Sequence, residues 1–259
     1  MLDNFQLVKE RLLDFSSPND FYFVFILRRR KDIKGSVPEG VNEDNRMLKH
    51  YFVSQAEYLD KKKQAIVQLC EQNDARAYIL PQRRDSRLVL WAIHDKASDL
   101  LKSGAANVHF DHLIRSCVAG MHEVPPDKKD HKRWVIDIDK DEMLSHVLGW
   151  GSITGNTGWQ EGEEVRYYVD FLVQKIGAAL MLYIGGDVPK DAREFMPKGG
   201  HRYVFNPLTV VPTPHGWHIV TPPFNRDIKA MDRYFGTPIP AQCIKPDAAT
   251  LLYAPDAIA

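Results

Sequence analysis

The stretch KRWVIDIDKDE at 132–142 constrains the fold most, because it predicts a buried strand that ends in two carboxylates on one face. Its apolar run, WVI, is typical of a strand in a core. Alternation then places Asp137 and Asp139 on the same side of the sheet, about 6–7 Å apart, with Ile138 on the other side. Two carboxylates so placed favour a cation between them, whereas the simpler interpretation is a strand end that leads into a polar loop.

The composition excludes several classes of protein. Among 259 residues, Lys+Arg 34 balances Asp+Glu 34, which argues against a protein that coats nucleic acid through a global positive field. The cysteines, Cys70, Cys117 and Cys243, are far apart and form no CxxC pair, so we expect neither a disulfide framework nor a zinc ribbon. The N-terminal segment lacks signal-peptide features and the apolar runs are too short to span a bilayer. We therefore expect a cytoplasmic protein without a membrane partner.

Hydrophobic periodicity predicts an α+β fold in which a mixed or antiparallel sheet is flanked by helices. Strands are predicted at 21–27, 50–53, 75–80, 134–139, 208–211, 217–221 and 251–253. Helices are predicted at 4–14, 86–103, 108–118, 143–148 and 163–176, and from a capping box at 54–57 to about residue 71. The polar, proline-containing segment 121–131 is the best internal boundary. It divides an N-terminal α/β subdomain, 1–120, from a second subdomain, 121–259, and we expect the two to form one compact unit.

His218 and Asp247, which lie later in the sequence, are candidate partners of the two carboxylates on the acidic strand. His218 follows a glycine-bearing turn on the strand WHIVT, where the flanking apolar residues face the other side of the sheet. A histidine there can donate to a phosphate, act as an acid or base, or bind a metal, whereas the simpler interpretation of a single histidine is a structural, hydrogen-bonded residue beside a turn. Asp247 follows Lys245 and a proline and is a candidate third carboxylate. The alternative for Asp247 is an Asx-turn or a helix cap.

The order of these features resembles the archaeo-eukaryotic primase superfamily, which includes primases, primase-polymerases and small phage and plasmid relatives. The corresponding motifs here are VIDID at 135–139, TPHGWHI at 213–219 and KPD at 245–247, the last followed by LLYAP at 251–255. Gly216 stands where the family has a small or hydroxyl residue. The resemblance covers mainly the second half of the chain, and the first half carries none of the family's motifs.

This resemblance implies a primase-like (RRM-like) catalytic core and a metal-dependent nucleotidyltransferase of DNA replication. The implied catalytic residues are Asp137, Asp139, His218 and Asp247. The three carboxylates would hold Mg²⁺ or Mn²⁺, and His218 and Lys245 would bind the phosphates of the incoming nucleotide. The implied partners are nucleoside triphosphates, a single-stranded DNA template and a separate helicase.

Nucleic acid requires local positive charge, because the total charge is neutral. The candidate contacts are four basic residues, Arg83, Arg84, Lys132 and Arg133. A second basic run, RRRK, follows the aromatic strand at 21–27. The simpler interpretation of each cluster is a solvated surface.

Other interpretations of the motifs fit less well. A β-type nucleotidyltransferase needs a Gly-Ser turn before the acidic strand, and 121–133 contains neither residue. A two-histidine phosphoesterase needs HxT or HxS motifs, which no histidine of this chain begins. The serious alternative is a primase-like fold that binds nucleic acid or nucleotide without catalysis.

Overall fold

The computed structural model describes most of the predicted elements. The described residues are 1–32, 46–104, 110–120, 132–139, 209–222, 243–246 and 248–256. The described strands form two sheets in which each pair is antiparallel, and helices pack on the first sheet. The α+β class with antiparallel sheets and flanking helices is therefore confirmed. The chain divides into two compact units, which we call the first unit (Met1–Arg133 with Asp247–Ala259) and the second unit (Trp134–Pro246).

The elements are numbered along the chain. The strands are β1 (Leu2–Asp3), β2 (Asp20–Arg28), β3 (Arg46–Val53), β4 (Arg76–Ile79), β5 (Arg84–Asp85), β6 (Trp134–Asp139), β7 (Thr209–Thr213), β8 (Gly216–Thr221), β9 (Ile244–Lys245) and β10 (Thr250–Ala254). The helices are α1 (Phe5–Arg11), α2 (Ala56–Gln72), α3 (Ser86–Lys102) and α4 (Phe110–Gly120). The predicted helices at 143–148 and 163–176 lie outside the described residues.

The first sheet is built around β2, which is buried on both faces. The strand order is β1-β10-β4-β2-β3, and β5 also pairs with β2. Tyr22, Val24 and Ile26 pack with α1 and α2, whereas Phe21 and Phe23 pack with α3 and α4. Each such side chain contributes about 1.5–3 kcal/mol when it is fully buried. A strand covered on both faces needs apolar residues at every position, which explains the uninterrupted run FYFVFIL.

Helix α2 covers one face of the first sheet. Its buried residues, Leu59, Ile66 and Cys70, recur at helical spacing and join the core around β2. The helix confirms the predicted segment, but its N-cap is Gln55, whose side chain makes no capping hydrogen bond. The capping box predicted at 54–57 is therefore not formed.

Strand β10 brings the end of the chain back to the first sheet. It pairs with β1 on one side and with β4 on the other, and all five of its residues are buried. The predicted subdomain 121–259 differs from this arrangement, because β10 belongs to the first unit. The segment predicted as the boundary, 121–131, lies outside the described residues.

The second sheet has the order β7-β8-β6-β9. Strands β7 and β8 form the predicted hairpin, whose turn is closed by the pair Thr213 and Gly216. Strand β6 pairs along its full length with β8, and two of its residues pair with β9. The acidic strand is thus an interior strand of its sheet. Of the helices described, none is long and apolar enough to cross a membrane.

Candidate functional site

Strand β6 presents its two carboxylates at the end of an apolar strand, as the sequence pattern predicts. The other four residues, Trp134, Val135, Ile136 and Ile138, are buried, and Asp137 and Asp139 are half-buried. The apolar residues fix the strand in the sheet, because removing them from water offsets the cost of ordering it. The carboxylates are therefore held on a rigid element.

Asp137 lies directly opposite His218 in the antiparallel ladder of β6 and β8. The His218 Nε2 atom is 3.3 Å from the Asp137 Oδ1 atom. Residues opposite each other project from the same face of the sheet, so this contact follows from the register. The side chains are only 13% and 23% exposed, respectively, which limits competition from water. Two predicted site residues are thus brought together.

Lys245 approaches the same carboxylate from the other neighbouring strand. Its register partner on β6 is Val135, two residues before Asp137 on the same face. Such a diagonal pair is within reach of a long side chain. The Lys245 Nζ atom donates a hydrogen bond to the Asp137 Oδ2 atom, and half of the lysine side chain is exposed. Each oxygen of Asp137 therefore has its own nitrogen partner.

These two contacts control the ionisation of Asp137. Partial burial would raise its pKa, but hydrogen bonds from His218 and Lys245, with their charges, outweigh burial and hold the pKa well below its usual value. The carboxylate is consequently negative throughout the neutral and mildly acidic range. A permanent negative charge on a sheet face suits either a bound cation or a fixed ion pair.

Gly216 is a site residue whose importance the sequence indicated only weakly. It lies opposite Asp139, and a Cβ atom added to it would overlap with the backbone oxygen of Ile138. No side chain fits there unless the strands move apart. The glycine therefore permits the close approach of β8 to β6 that brings His218 opposite Asp137. The sequence offered one signal for its importance: the glycine directly follows a turn and lies two residues before a histidine on a strand.

Two of the four predicted nucleic-acid contacts are in the interior. Arg83 is 6% exposed and Arg84 is 4% exposed. The Arg83 Nη1 atom donates to the backbone oxygen of Asp14 at 2.9 Å and lies 3.3 Å from a carboxylate oxygen of Asp20. This corrects the expectation that the two arginines lie on a surface, because they serve as partners for buried polar groups instead.

The remaining predicted residues have mixed outcomes. Lys132 and Arg133 are half-buried, and the backbone oxygen of Arg133 accepts a hydrogen bond from the Gln82 side chain at 3.0 Å. Asp139 is half-buried on the face of Asp137. Asp247, the predicted third carboxylate, lies outside the described residues.

The described residues include two carboxylates of the kind that bind hard metal ions. Mg²⁺ and Mn²⁺ prefer oxygen ligands, and Asp137 and Asp139 offer two carboxylates on one face of β6. Within the described part of the chain, no group of three or more His, Cys, Asp or Glu residues could hold a metal ion. The two aspartates are of the ligand type that such an ion prefers, and Asp247, the third carboxylate of the prediction, lies outside the described residues.

Comparison with known proteins adds no relative. No family model, curated protein or solved structure matches this chain. Function must therefore be inferred from the geometry around Asp137.

Proposed function

We propose that the chain is a metal-dependent nucleotidyltransferase of the primase–polymerase type, which joins nucleotides on a single-stranded DNA template. The observation that carries this proposal is the meeting of three distant sequence motifs at one carboxylate. Strands β8, β6 and β9 are neighbours, and Asp137 on the middle strand contacts His218 on one side and Lys245 on the other. Unrelated polar strand ends need not meet at one side chain, so this convergence supports a shared site.

Asp137 and Asp139 would hold Mg²⁺ or Mn²⁺, together with Asp247. A divalent cation bound there would lower the pKa of the attacking 3′-hydroxyl and neutralise the triphosphate and the departing pyrophosphate. The role of β6 is to hold the two carboxylates in place before any ligand arrives. Such preorganisation spares the reaction the cost of ordering its ligands.

His218 and Lys245 would bind the phosphates of the incoming nucleotide. The contact with Asp137 fixes the orientation of the His218 ring, which is mostly shielded from water. Lys245 supplies a compact positive charge on a side chain that is half exposed, and lysine is a common ligand of phosphate. Both groups lie on the same face as the carboxylate that would hold the cation, so a metal–triphosphate complex would meet all three.

The alternative is a module that binds nucleotide or nucleic acid without catalysis. One observation favours it: within the described residues, the charge of Asp137 is already matched by His218 and Lys245, without a third metal ligand. In such a module Asp137 would position the two nitrogen groups for a phosphate, and no cation would be required.

An incorporation assay separates the two functions. The full chain would be supplied with Mn²⁺ or Mg²⁺, labelled nucleoside triphosphates and single-stranded DNA with or without a primer. We expect incorporation by the native protein and a loss of at least about 100-fold in D137A/D139A. The matched control is D99A, which removes a carboxylate that is 79% exposed on α3.

Three outcomes of this assay have different meanings. Equal incorporation by the native protein and D137A/D139A would contradict a role for these carboxylates. Absence of incorporation by the native protein under all conditions would overturn the catalytic proposal. If the same preparation still bound labelled nucleotide or single-stranded DNA, the non-catalytic alternative would be supported instead.

A further inference from the structure

The two oxygens of Asp137 are held by partners of unequal exposure. Oδ1 faces Nε2 of His218, whose side chain is 13% exposed and whose strand pairs with β6 along six residues. Oδ2 contacts Nζ of Lys245, whose side chain is 48% exposed and whose strand has two residues. The histidine contact is therefore fixed by the sheet, whereas the lysine contact depends on a long, partly solvated side chain.

An ammonium group in this position is easily exchanged. Lysine keeps its charged end in water while its methylene groups lie along the protein surface, so the Nζ atom of Lys245 can move into solvent without leaving a buried charge behind. An exposed lysine–carboxylate pair also contributes little net stability, because hydration replaces most of the attraction that is lost. By contrast, His218 has little access to water with which to replace its contact.

A divalent cation at Asp137 would compete with this ammonium group. Oxygen ligands of Mg²⁺ and Mn²⁺ lie about 2–2.2 Å from the ion, so a cation bound by Asp137 through Oδ2 would need the space into which Lys245 Nζ now donates. Two positive groups at such a distance repel each other strongly in a partly buried site. One of them must leave, and Lys245 is the group with access to solvent.

We propose that Lys245 is an exchangeable counter-ion which couples the binding of a divalent cation to the binding of a triphosphate. The cation displaces the ammonium group from Asp137, and the released ammonium group then binds a phosphate oxygen on the same face of the sheet. The inference rests on the proposed function, since it takes the cation and the triphosphate as the ligands of this site. Because coupling is reciprocal, each ligand strengthens the binding of the other.

This exchange makes the site selective for a metal–triphosphate complex over either component alone. Without a cation, the ammonium group of Lys245 stays on Asp137 and is not available to a triphosphate. Without a triphosphate, the cation must displace Lys245 and gains no phosphate ligand in return. Only the complex supplies a partner for both charged side chains.

The test measures the affinity for Mn²⁺ alone, from the electron paramagnetic resonance signal of the free ion. K245M keeps the length of the side chain and removes its charge, and K245R keeps the charge. We expect K245M to bind Mn²⁺ about three- to ten-fold more tightly than the native chain and K245R to stay within about two-fold of it. K49M is the matched control, since Lys49 is exposed on β3 of the first sheet. It should leave the affinity unchanged.

A second measurement follows a fluorescently labelled, non-hydrolysable triphosphate by anisotropy, with and without Mn²⁺. Mn²⁺ should strengthen nucleotide binding by the native chain at least about ten-fold and strengthen binding by K245M clearly less. Unchanged or weaker Mn²⁺ binding by K245M overturns the proposal, as does the absence of Mn²⁺ binding by both proteins. Equal tightening by K49M would also overturn it, because the effect would then be one of net charge.

The proposed function can fail separately. Mn²⁺ titration requires neither a template nor incorporation. If the protein incorporated no nucleotides while K245M still bound Mn²⁺ more tightly than the native chain, the exchange would be supported and the polymerase assignment would be wrong. Conversely, if the native protein incorporated nucleotides but K245M and the native chain had the same affinity for Mn²⁺, the polymerase assignment would be supported and the exchange would be wrong.

Discussion

Asp137 and His218 face each other across one rung of the antiparallel pair β6 and β8, with 3.3 Å between Oδ1 of the aspartate and Nε2 of the histidine. The contact joins two motifs that are far apart in the sequence. It depends on the register of the two strands, because a slip of one residue would turn His218 to the opposite face of the sheet. Lys245 then completes the arrangement from β9.

The Asp137–His218 contact should have a measurable coupling energy. In a double-mutant cycle of D137N, H218Q and the double variant, we expect a coupling of about 1 kcal/mol at pH 6, as for a partly buried hydrogen bond to a charged group. Urea unfolding gives the four free energies. His94 and Asp95 form the control pair, because they lie 3.2 Å apart with both side chains at least 70% exposed. A coupling at Asp137 no larger than that of the control pair would contradict the prediction.

Stability should fall in acid because of Asp137. Its pKa is lower in the folded protein than in the unfolded chain, where the pKa of an aspartate is about 3.9. The folded state therefore binds fewer protons, so the contribution to stability is complete above about pH 5 and is lost as the pH falls through the lower folded pKa. Between pH 5 and pH 2, we expect the free energy of unfolding of D137N to fall by about 2 kcal/mol less than that of the native protein.

Unfolding free energies measured at several pH values between 2 and 6 check this prediction. D99N is the control, because it removes an exposed carboxylate and should follow the native curve. Parallel curves for D137N and the native protein would show that the contacts with His218 and Lys245 do not favour the ionised carboxylate.

Local patterns predicted the individual strands well. The uninterrupted apolar run of β2 indicates a strand that is buried on both faces. In β6 an apolar run is followed by alternation, which indicates that only one face is buried at the acidic end. The turn at 213–216 also predicted the hairpin of β7 and β8. From these three elements the carboxylates and His218 could be placed on strands before any geometry was known.

Long-range relations could not be predicted in the same way. The position of β10 between β1 and β4 depends on pairing with strands from the beginning of the chain, and its own sequence says only that it is buried. Likewise, Arg83 and Arg84 look like a surface cluster in the sequence, but Arg83 pairs with the buried carboxylate of Asp20 and Arg84 donates to the side chain of Gln82. The contact of Lys245 with Asp137 depends on the register of two residues of β9, which no local pattern specifies.

Replacing Gly216, which has no room for a side chain, should destabilise the protein more than replacing Gly104, where only the backbone conformation favours glycine. In G216A the new Cβ atom would overlap with the backbone oxygen of Ile138, so the two strands must separate. We expect a destabilisation of about 2–3 kcal/mol and a weaker contact between His218 and Asp137. Gly104 is the comparison: its φ of 69° disfavours a side chain, but a Cβ atom would meet nothing within 4 Å. G104A should cost only about 1 kcal/mol.

Urea unfolding and the imidazole NMR signals of His218 check this prediction. The histidine signals should shift in G216A and stay in place in G104A. If G216A were as stable as the native protein and its histidine signals were unmoved, the close approach of β8 to β6 would not depend on the glycine.

Arg83 should act on stability and not on nucleic-acid binding. Its guanidinium group lies 3.3 Å from the carboxylate of Asp20, and both side chains are at most 3% exposed. Removing one partner of a buried ion pair leaves the other charge uncompensated, so we expect R83M to lower the free energy of unfolding by about 3 kcal/mol. Two backbone amides, those of Ser16 and Ser17, also donate to Asp20 and limit the loss.

Arg87 is the control, because its side chain is 65% exposed beside Asp85, and R87M should remain close to native stability. Unfolding in urea gives both values, and anisotropy of labelled single-stranded DNA, measured where R83M is folded, should give the native affinity. A native-like stability combined with weaker DNA binding in R83M would instead restore Arg83 as a nucleic-acid contact.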